Sequence, residues 1–255
     1  EGPGNGRRIA REQGGNYDLF VCLGGDGTLS DVMGGLAEVD PHPPIGYIPT
    51  GTANDVATTL SLSRSLSHAG KTILGGRKFP YDLGKFGEEG FFSYVAAFGA
   101  FTDVSYETPQ ESKAAWGHLA YVFEGMSRLP KLRSYTAKVE YDEGVIEDEF
   151  IFGGVTNSTS VAGLVKLDNK RVGLGDGRFE IILVRKPKTV VELNSIFTGL
   201  LSQNYDNENV FFLHSSRVLF TFPEPVAWTR DGENGGMHDT LELTCLPHVH
   251  DILVD

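Results

Sequence analysis

The sequence predicts an α/β nucleotide-binding domain followed by a β-rich domain, and three observations predict it. Two apolar runs near the start, Leu19–Leu23 and Ile45–Ile48, each break at a glycine-rich turn and lead into a helical pattern. Strands alternating with short helices indicate a parallel, right-handed α/β unit. From Phe79 the rhythm changes to successive strand-like runs, several alternating apolar with polar as in Ala137-Lys-Val-Glu-Tyr141, the pattern of antiparallel strands with one wet face. Glycine supplies 32 of 255 residues, roughly an eighth against a usual ~7%, which favours tight turns and backbone-lined sites over a helical bundle. The expected domains are residues 1–80 and 81–246, with a tail, 247–255, that returns to the first.

In chain order, Arg7-Arg-Ile-Ala-Arg-Glu-Gln13 reads as a helix ending at Gly14-Gly15. A parallel sheet ordinarily opens with a strand, so an earlier strand–helix–strand unit is expected ahead of this start. Strand Asp18–Leu23 follows, then a helix from Thr28 whose Leu29, Val32, Met33 and Leu36 fall at i, i+3, i+4 and i+7. Pro41-His-Pro-Pro44 stops it; strand Ile45–Ile48 and a short helix, Asp55–Leu60, come next. Later strands are expected at Tyr81–Phe86, Phe91–Phe98, Tyr135–Tyr141, Glu149–Val155, Phe179–Val184, Val210–Phe222 and Thr240–Leu246. Helical patterns interrupt them around Ala115, Leu119, Val122, Phe123 and Met126, and again over Val190–Leu201.

Composition excludes several function classes. A formal charge of −12 and an acidic isoelectric point argue against nucleic-acid binding, because phosphate backbones demand a basic footprint. Cys22 and Cys245 fit no metal or disulfide framework, which points to a reducing cytosol. No run of eighteen apolar residues and no signal-peptide pattern is found, so a cytoplasmic protein without a transmembrane segment is expected. Arg185-Lys-Pro-Lys188 and Lys131-Leu-Arg133 read as solvated charge; their alternative is a contact with anionic headgroups at the inner membrane face. His248-Val-His250 reads as a pair of surface histidines, since two ligands lack a third. A homodimer is left open.

The chemistry concentrates in the two glycine loops. In Gly24-Gly25-Asp26-Gly27-Thr28 and Thr50-Gly51-Thr52-Ala53-Asn54-Asp55, glycines let the backbone approach a phosphate and the helix N-terminal N–H groups point at it. Asp26 would repel a bare phosphate but suits phosphate-bound Mg²⁺, so the pair of loops is read as an ATP site. By themselves Asp55 is a helix-start charge, Asp82 an exposed strand residue, Asp231-Gly-Glu233 an acidic turn, and Asp176 either an Asp-Gly hairpin or a cation ligand among glycines.

Gly24-Gly-Asp-Gly-Thr28 with Pro49-Thr-Gly-Thr-Ala-Asn-Asp55 resembles the catalytic domain of the diacylglycerol kinase family, which includes bacterial lipid kinases and sphingosine kinases. The first motif also occurs in NAD kinases; the pair is far more specific. Phe79-Pro-Tyr-Asp82-Leu-Gly84, Leu174-Gly-Asp-Gly177 and Asp231-Gly-Glu233 are similar to later family segments. The resemblance implies a Rossmann-like α/β domain of the NAD-kinase/diacylglycerol-kinase type, a C-terminal β-sandwich domain, and ATP in the cleft between them. It implies that Gly24, Gly25, Asp26, Gly27, Thr28, Thr50, Gly51, Thr52 and Asn54 contact the nucleotide. Asp26, Asp55 and Asp82 would belong to a Mg²⁺ network, Asp176 would bind a structural Mg²⁺, with Asp168 and Asn169 as lesser candidates, and Glu233, helped by Asp231, would be the general base toward a lipid hydroxyl, most readily that of diacylglycerol. Ser30-Asp31 stands where the family usually has Asn-Glu, and Tyr94 where Asn is common. The rival readings are an NAD kinase-like small-molecule kinase and a nucleotide-binding regulatory protein without catalysis.

Overall fold

The computed structural model describes residues 4–40, 42–88, 90–100, 133–161, 165–166, 173–202, 205 and 207–255. The helical pattern around Ala115–Met126, together with Lys131, Asp168 and Asn169, lies outside the described residues.

The N-terminal region is an α/β layer. Strands β1 (Phe20–Gly24) and β2 (Ile45–Pro49) pair in parallel, Phe20 beside Ile45 through Gly24 beside Pro49. Helix α1 (Asn5–Gln13) packs on α2 (Asp26–Leu36), which buries Leu29, Val32, Met33 and Leu36 as its periodicity predicts. Helix α2 begins two residues earlier than the expected Thr28, taking Asp26 into its first turn, where a carboxylate is favoured by the helix dipole. After the short α3 (Asp55–Thr59) comes α4 (Leu66–Gly75), a helix the sequence did not announce because its buried positions are only Ala69 and Thr72. Ile73 of α4 closes over Gly46, where a Cβ would lie 2.8 Å from its side chain.

Among the described residues the C-terminal region is almost wholly β, with strands β3 (Arg77–Phe86), β4 (Gly90–Phe92), β5 (Val95–Gly99), β6 (Tyr135–Tyr141), β7 (Gly144–Thr156), β8 (Ser160–Val161), β9 (Val165–Lys166), β10 (Phe179–Arg185), β11 (Val210–Ser215), β12 (Arg217–Arg230) and β13 (Glu233–Val254). Helix α5 (Val190–Ser202) joins β10 to β11. Among the described residues the main sheet runs β1-β2-β13-β12-β5-β7-β10-β11, while β6 bridges β12 and β7 and β3 pairs with β13 and β4. Strand β13, 22 residues long, ties the regions together: it pairs with β12 at its start, with β3 along its length, and with β2 where Ile252 meets Ile45. Its bend falls at His248, whose φ is 53° and where the register with β3 shifts.

Two expected strands are each split, for visible reasons. The run Phe91–Phe98 breaks at Ser93-Tyr94, because those backbone N–H groups bond a side chain, Asp231, rather than a neighbouring strand. The run Val210–Phe222 turns back at Ser216, giving β11 and β12. One apolar core spans Ala10, Leu29, Ile45 and Ile252 on the α/β side and reaches Ile151, Ile182 and Ile196 of the β-rich part. A second fills the β-rich region around Trp228, 1% exposed, with Phe98, Phe220 and Phe86 at ring-centroid distances of 4.9, 5.1 and 6.2 Å.

Trp228 carries the largest apolar surface of that cluster, and truncating a buried Trp typically costs about 3–5 kcal/mol. Trp228→Ala is therefore expected to lower the stability by that order in urea denaturation, and Trp228→Phe by less than half as much. A loss under about 1 kcal/mol for the alanine variant would mean the cluster does not support the region as described.

Candidate functional site

The glycine loops meet backbone to backbone. A Cβ on Gly51 would stand 2.4 Å from the Gly25 Cα, so only glycine permits this approach. The Thr50 N–H donates to the Gly24 carbonyl at 2.8 Å. Asp26, 8% exposed, locks the contact: its carboxylate accepts the Asp55 N–H at 3.0 Å and the Val56 N–H at 3.2 Å, capping α3 from the other loop. Asn54 is fully buried at φ 54° and turns back on its own loop, accepting the Gly51 N–H at 2.9 Å and donating to the Gly51 carbonyl at 2.6 Å. It shapes the loop from within, whereas Thr28, Thr50 and Thr52 are exposed at the mouth. Arg64, which sequence reasoning missed, donates to the Ala53 carbonyl at 2.8 Å and brings a cation beside the loop. Burial pushes the Asp55 pKa up to about 6, and the Asp26 charge adds to the rise.

The opposite wall is the turn between β12 and β13. Asp231 and Gly232 have φ of 48° and 79°, and Arg230 and Glu233 face each other across them, which is a two-residue hairpin with an Asp-Gly turn. Asp231 is buried and its carboxylate accepts five hydrogen bonds: the Ser30 hydroxyl at 2.6 Å, the Ser93 N–H and hydroxyl at 2.6 and 3.0 Å, and the Tyr94 and Val95 N–H groups at 3.0 Å each. Burial raises its pKa, and these bonds oppose the rise. Ser30, flagged in the sequence only as a departure from the family pattern, is thus the link from α2 to the turn. Glu233 is exposed, and its Oε1 lies 3.6 Å from where a Gly27 Cβ would be, so its carboxylate faces the first glycine loop. Asp26, Asp55, Asp231 and Glu233 therefore surround one cleft.

Asp82 and Asp176 share no hydrogen bond with these four. Asp82 is fully buried rather than exposed, and its carboxylate accepts the Gly177 and His248 N–H groups, each at 2.7 Å. None of its hydrogen bonds goes to either glycine loop; it stitches the 173–177 loop and the bend of β13 to β3. Asp176 is exposed in that loop, its Oδ1 accepting the Arg178 N–H at 3.0 Å. Its Oδ2 would be 2.1 Å from a Cβ on Gly173, whose N–H in turn donates to Glu180 Oε1 at 3.2 Å. Glu180 is fully buried, its Oε2 has no hydrogen-bond partner among the described residues, and burial pushes its pKa up to about 8, with the charges of Asp176 and Asp82 adding to the rise. A buried carboxylate oxygen without a partner near Asp176 has the chemistry that a hard cation with oxygen ligands takes. Among the described residues no three His, Cys, Asp or Glu side chains converge on one point.

Other expectations are corrected or placed. His250 is not a surface residue: it is 1% exposed, and burial with nearby His42 lowers its pKa to about 3, against an opposing contribution from the Met33 backbone. Only His248 is exposed. Arg185 and Lys186 are ion-paired with Asp148 and Glu149 at 2.6 and 2.9 Å, which neutralises most of that basic run. Cys22 and Cys245 are free and buried.

A parallel α/β layer with paired glycine loops, faced across a cleft by an acidic hairpin turn of a β-rich region, defines a nucleotide-binding phosphotransferase architecture. Known proteins carry it further. The diacylglycerol kinase catalytic domain pattern matches residues 1–86. A Bacillus subtilis (strain 168) protein named diacylglycerol kinase is 31% identical over 238 residues, 93% of this chain and 78% of that protein. A Staphylococcus aureus (strain bovine RF122 / ET3-1) protein of the same name is 35% identical over 226 residues, 87% of this chain and 70% of that protein. A Bacillus anthracis str. Sterne structure superposes on the whole chain and 82% of its own, with a TM-score of 0.82 at 23% identity, and so shares the fold. The chain belongs to the diacylglycerol kinase catalytic domain family.

The Asp55 shift yields a prediction. Its folded pKa, about 6, lies above the unfolded value near 3.8, so the native state holds a proton that the unfolded chain has released between those values. The resulting stabilisation is complete below about pH 4 and lost as pH rises through about 6. Without nucleotide, the stability of wild type relative to Asp55→Asn should therefore fall across that window by about 1–3 kcal/mol. Parallel pH profiles for the two proteins would refute the burial of this carboxylate.

Proposed function

We propose that this chain is an ATP-dependent lipid kinase that transfers the γ-phosphoryl group of ATP to the hydroxyl of diacylglycerol, forming phosphatidic acid. Membership of the family and the names of relatives that match about nine-tenths of the chain support the acceptor. The observation that carries the reaction is the Glu233 carboxylate facing Gly27 across the cleft. A base there lies beside the phosphate-binding loop, where an acceptor hydroxyl must be lined up with the γ-phosphorus.

Each residue then has a task. Backbone N–H groups at the start of α2 and the exposed Thr28, Thr50 and Thr52 bind the phosphates, and the Gly25–Gly51 contact keeps the loops at a fixed separation. Asp26 positions α3 and, with Asp55, offers carboxylate oxygens toward Mg²⁺ carried by the nucleotide. Bound Mg²⁺ supplies neutralisation of phosphate charge. Asp231 holds the turn so that Glu233 accepts the hydroxyl proton as the acceptor oxygen attacks. Asp176 and Glu180 would hold a second, structural cation away from the reaction, while Asp82 secures that loop. No helix among the described residues is long and apolar enough to cross a membrane.

Radiolabelled ATP and Mg²⁺ offered with diacylglycerol, ceramide, sphingosine, undecaprenol and NAD test the reading. Label is expected in phosphatidic acid, and label in NAD alone would replace the reading with its small-molecule rival. Glu233→Gln should lower kcat by about 10²–10⁴-fold while ATP affinity stays within about threefold. Wild-type turnover in that variant would remove Glu233 as the base.

A further inference from the structure

Arg230 has no part in the function so far, yet it is the residue paired with Glu233 across the Asp231-Gly232 turn. Residues directly opposite in a hairpin present their side chains to the same face, a few ångströms apart. Both line one small cavity, which Ser30 and Gly27 also border. Arg230 lines in addition a wider groove of about 620 Å³, bordered by Phe86, Leu241 and His238 among others. Arg230 therefore stands at the junction of the base, the first glycine loop and an open, partly apolar groove.

The guanidinium is half-buried, its carbon 5.7 Å from the Phe86 ring centroid, and among the described residues it joins no ion pair or hydrogen bond. Arg7, at the same cavity, is by contrast spent on Glu38 at 2.7 Å. Space is kept for Arg230: a Cβ on Gly90 would lie 2.5 Å from its Nη1. A cation held over an aromatic face beside a phosphate loop, and ion-paired with none of Asp31, Asp231 and Glu233 that line the same cavity, is arranged for an anion that arrives from outside.

We propose that Arg230 is a catalytic residue that receives the γ-phosphoryl group as it passes from ATP to the acceptor, with the groove beside it seating the glycerol end of the acceptor. This rests on the kinase reading above. In the step, a bond forms between the acceptor oxygen and the γ-phosphorus, the bond from that phosphorus to the oxygen of ADP breaks, and the hydroxyl proton goes to Glu233. Arg230 keeps its protons and gains its counter-charge only as the phosphoryl group reaches the acceptor side. An interaction made in the transition state and weak in the ground state raises kcat rather than acceptor affinity.

The test compares wild type, Arg230→Met and Arg230→Lys with soluble short-chain diacylglycerol, after melting curves confirm that the variants fold. Arg230→Met is expected to lose about 100-fold or more in kcat, with the acceptor KM and the nucleotide Kd within about threefold, and Arg230→Lys to recover part of the loss. Calorimetric binding of short-chain phosphatidic acid should weaken about tenfold or more in Arg230→Met. A kcat within about threefold of wild type, or a loss confined to the acceptor KM or to vesicle binding, would overturn the proposal. If wild type phosphorylates no lipid, the kinase reading fails by itself; the phosphatidic acid titration still decides Arg230, and equal affinity in wild type and Arg230→Met would overturn the anion site.

Discussion

The buried carboxylate of Asp231 is the interaction on which the cleft depends. Its two oxygens collect donors from α2 through Ser30 and from the β4–β5 break through Ser93, Tyr94 and Val95, while the Val95 carbonyl accepts the Asp231 N–H in return at 2.8 Å. A carboxylate buried without donors would carry a desolvation cost of several kcal/mol; five donors offset it and fix the hairpin in the same act. The left-handed φ of Asp231 is tolerable because an acidic side chain bonded to nearby backbone is among the few that adopt it readily. Everything proposed for Glu233 and Arg230 follows from that anchoring, since both side chains leave the same short turn.

The other wall uses the same device with the roles reversed. Asp26 sits in the first turn of α2 and reaches across to cap α3, so each glycine loop is held by the other. The contact at Gly25 and Gly51 leaves no room for a side chain, and the Thr50 and Gly51 N–H groups are bonded within the loops, to the Gly24 carbonyl and to Asn54, which holds the backbone in place. An anion site built this way is preorganised: its dipoles do not have to move when a phosphate arrives. Asp26 is therefore as much a structural cap as a partner for metal.

Much of this was legible in the sequence, and the limits have physical causes. The strand–loop–helix units read cleanly because apolar runs and helical periodicity are local signals, and Gly-Asp-Gly at a helix mouth implies its own geometry. The grouping of Asp26, Asp55, Asp231 and Glu233 came from motif resemblance, since about two hundred residues separate the walls and no local rule spans that distance. Ser93 carried no signal and Ser30 only that of a departure from the family pattern, because a serine becomes a donor to a buried carboxylate only once the chain has folded. Arg230 looked like the end of an ordinary strand, and its cross-strand pairing with Glu233 appears only when Asp231-Gly232 is known to form a two-residue turn. Helix α4 was missed because its buried positions are the small Ala69 and Thr72 while Leu66 and Leu74 are exposed, and the burial of Asp82, Glu180 and His250 was hidden because a polar side chain inside a sheet resembles one on its wet face.

The most direct test of the cleft's construction is native-state hydrogen exchange on wild type and Asp231→Asn. An amide in place of the carboxylate keeps the shape but turns a donor toward donors. The Ser93, Tyr94 and Val95 amides should then exchange about tenfold faster or more, while the Asp55 and Val56 amides, which bond to Asp26, keep their protection. Unchanged exchange at Ser93–Val95, or equal acceleration at both sets of amides, would contradict the role given to Asp231.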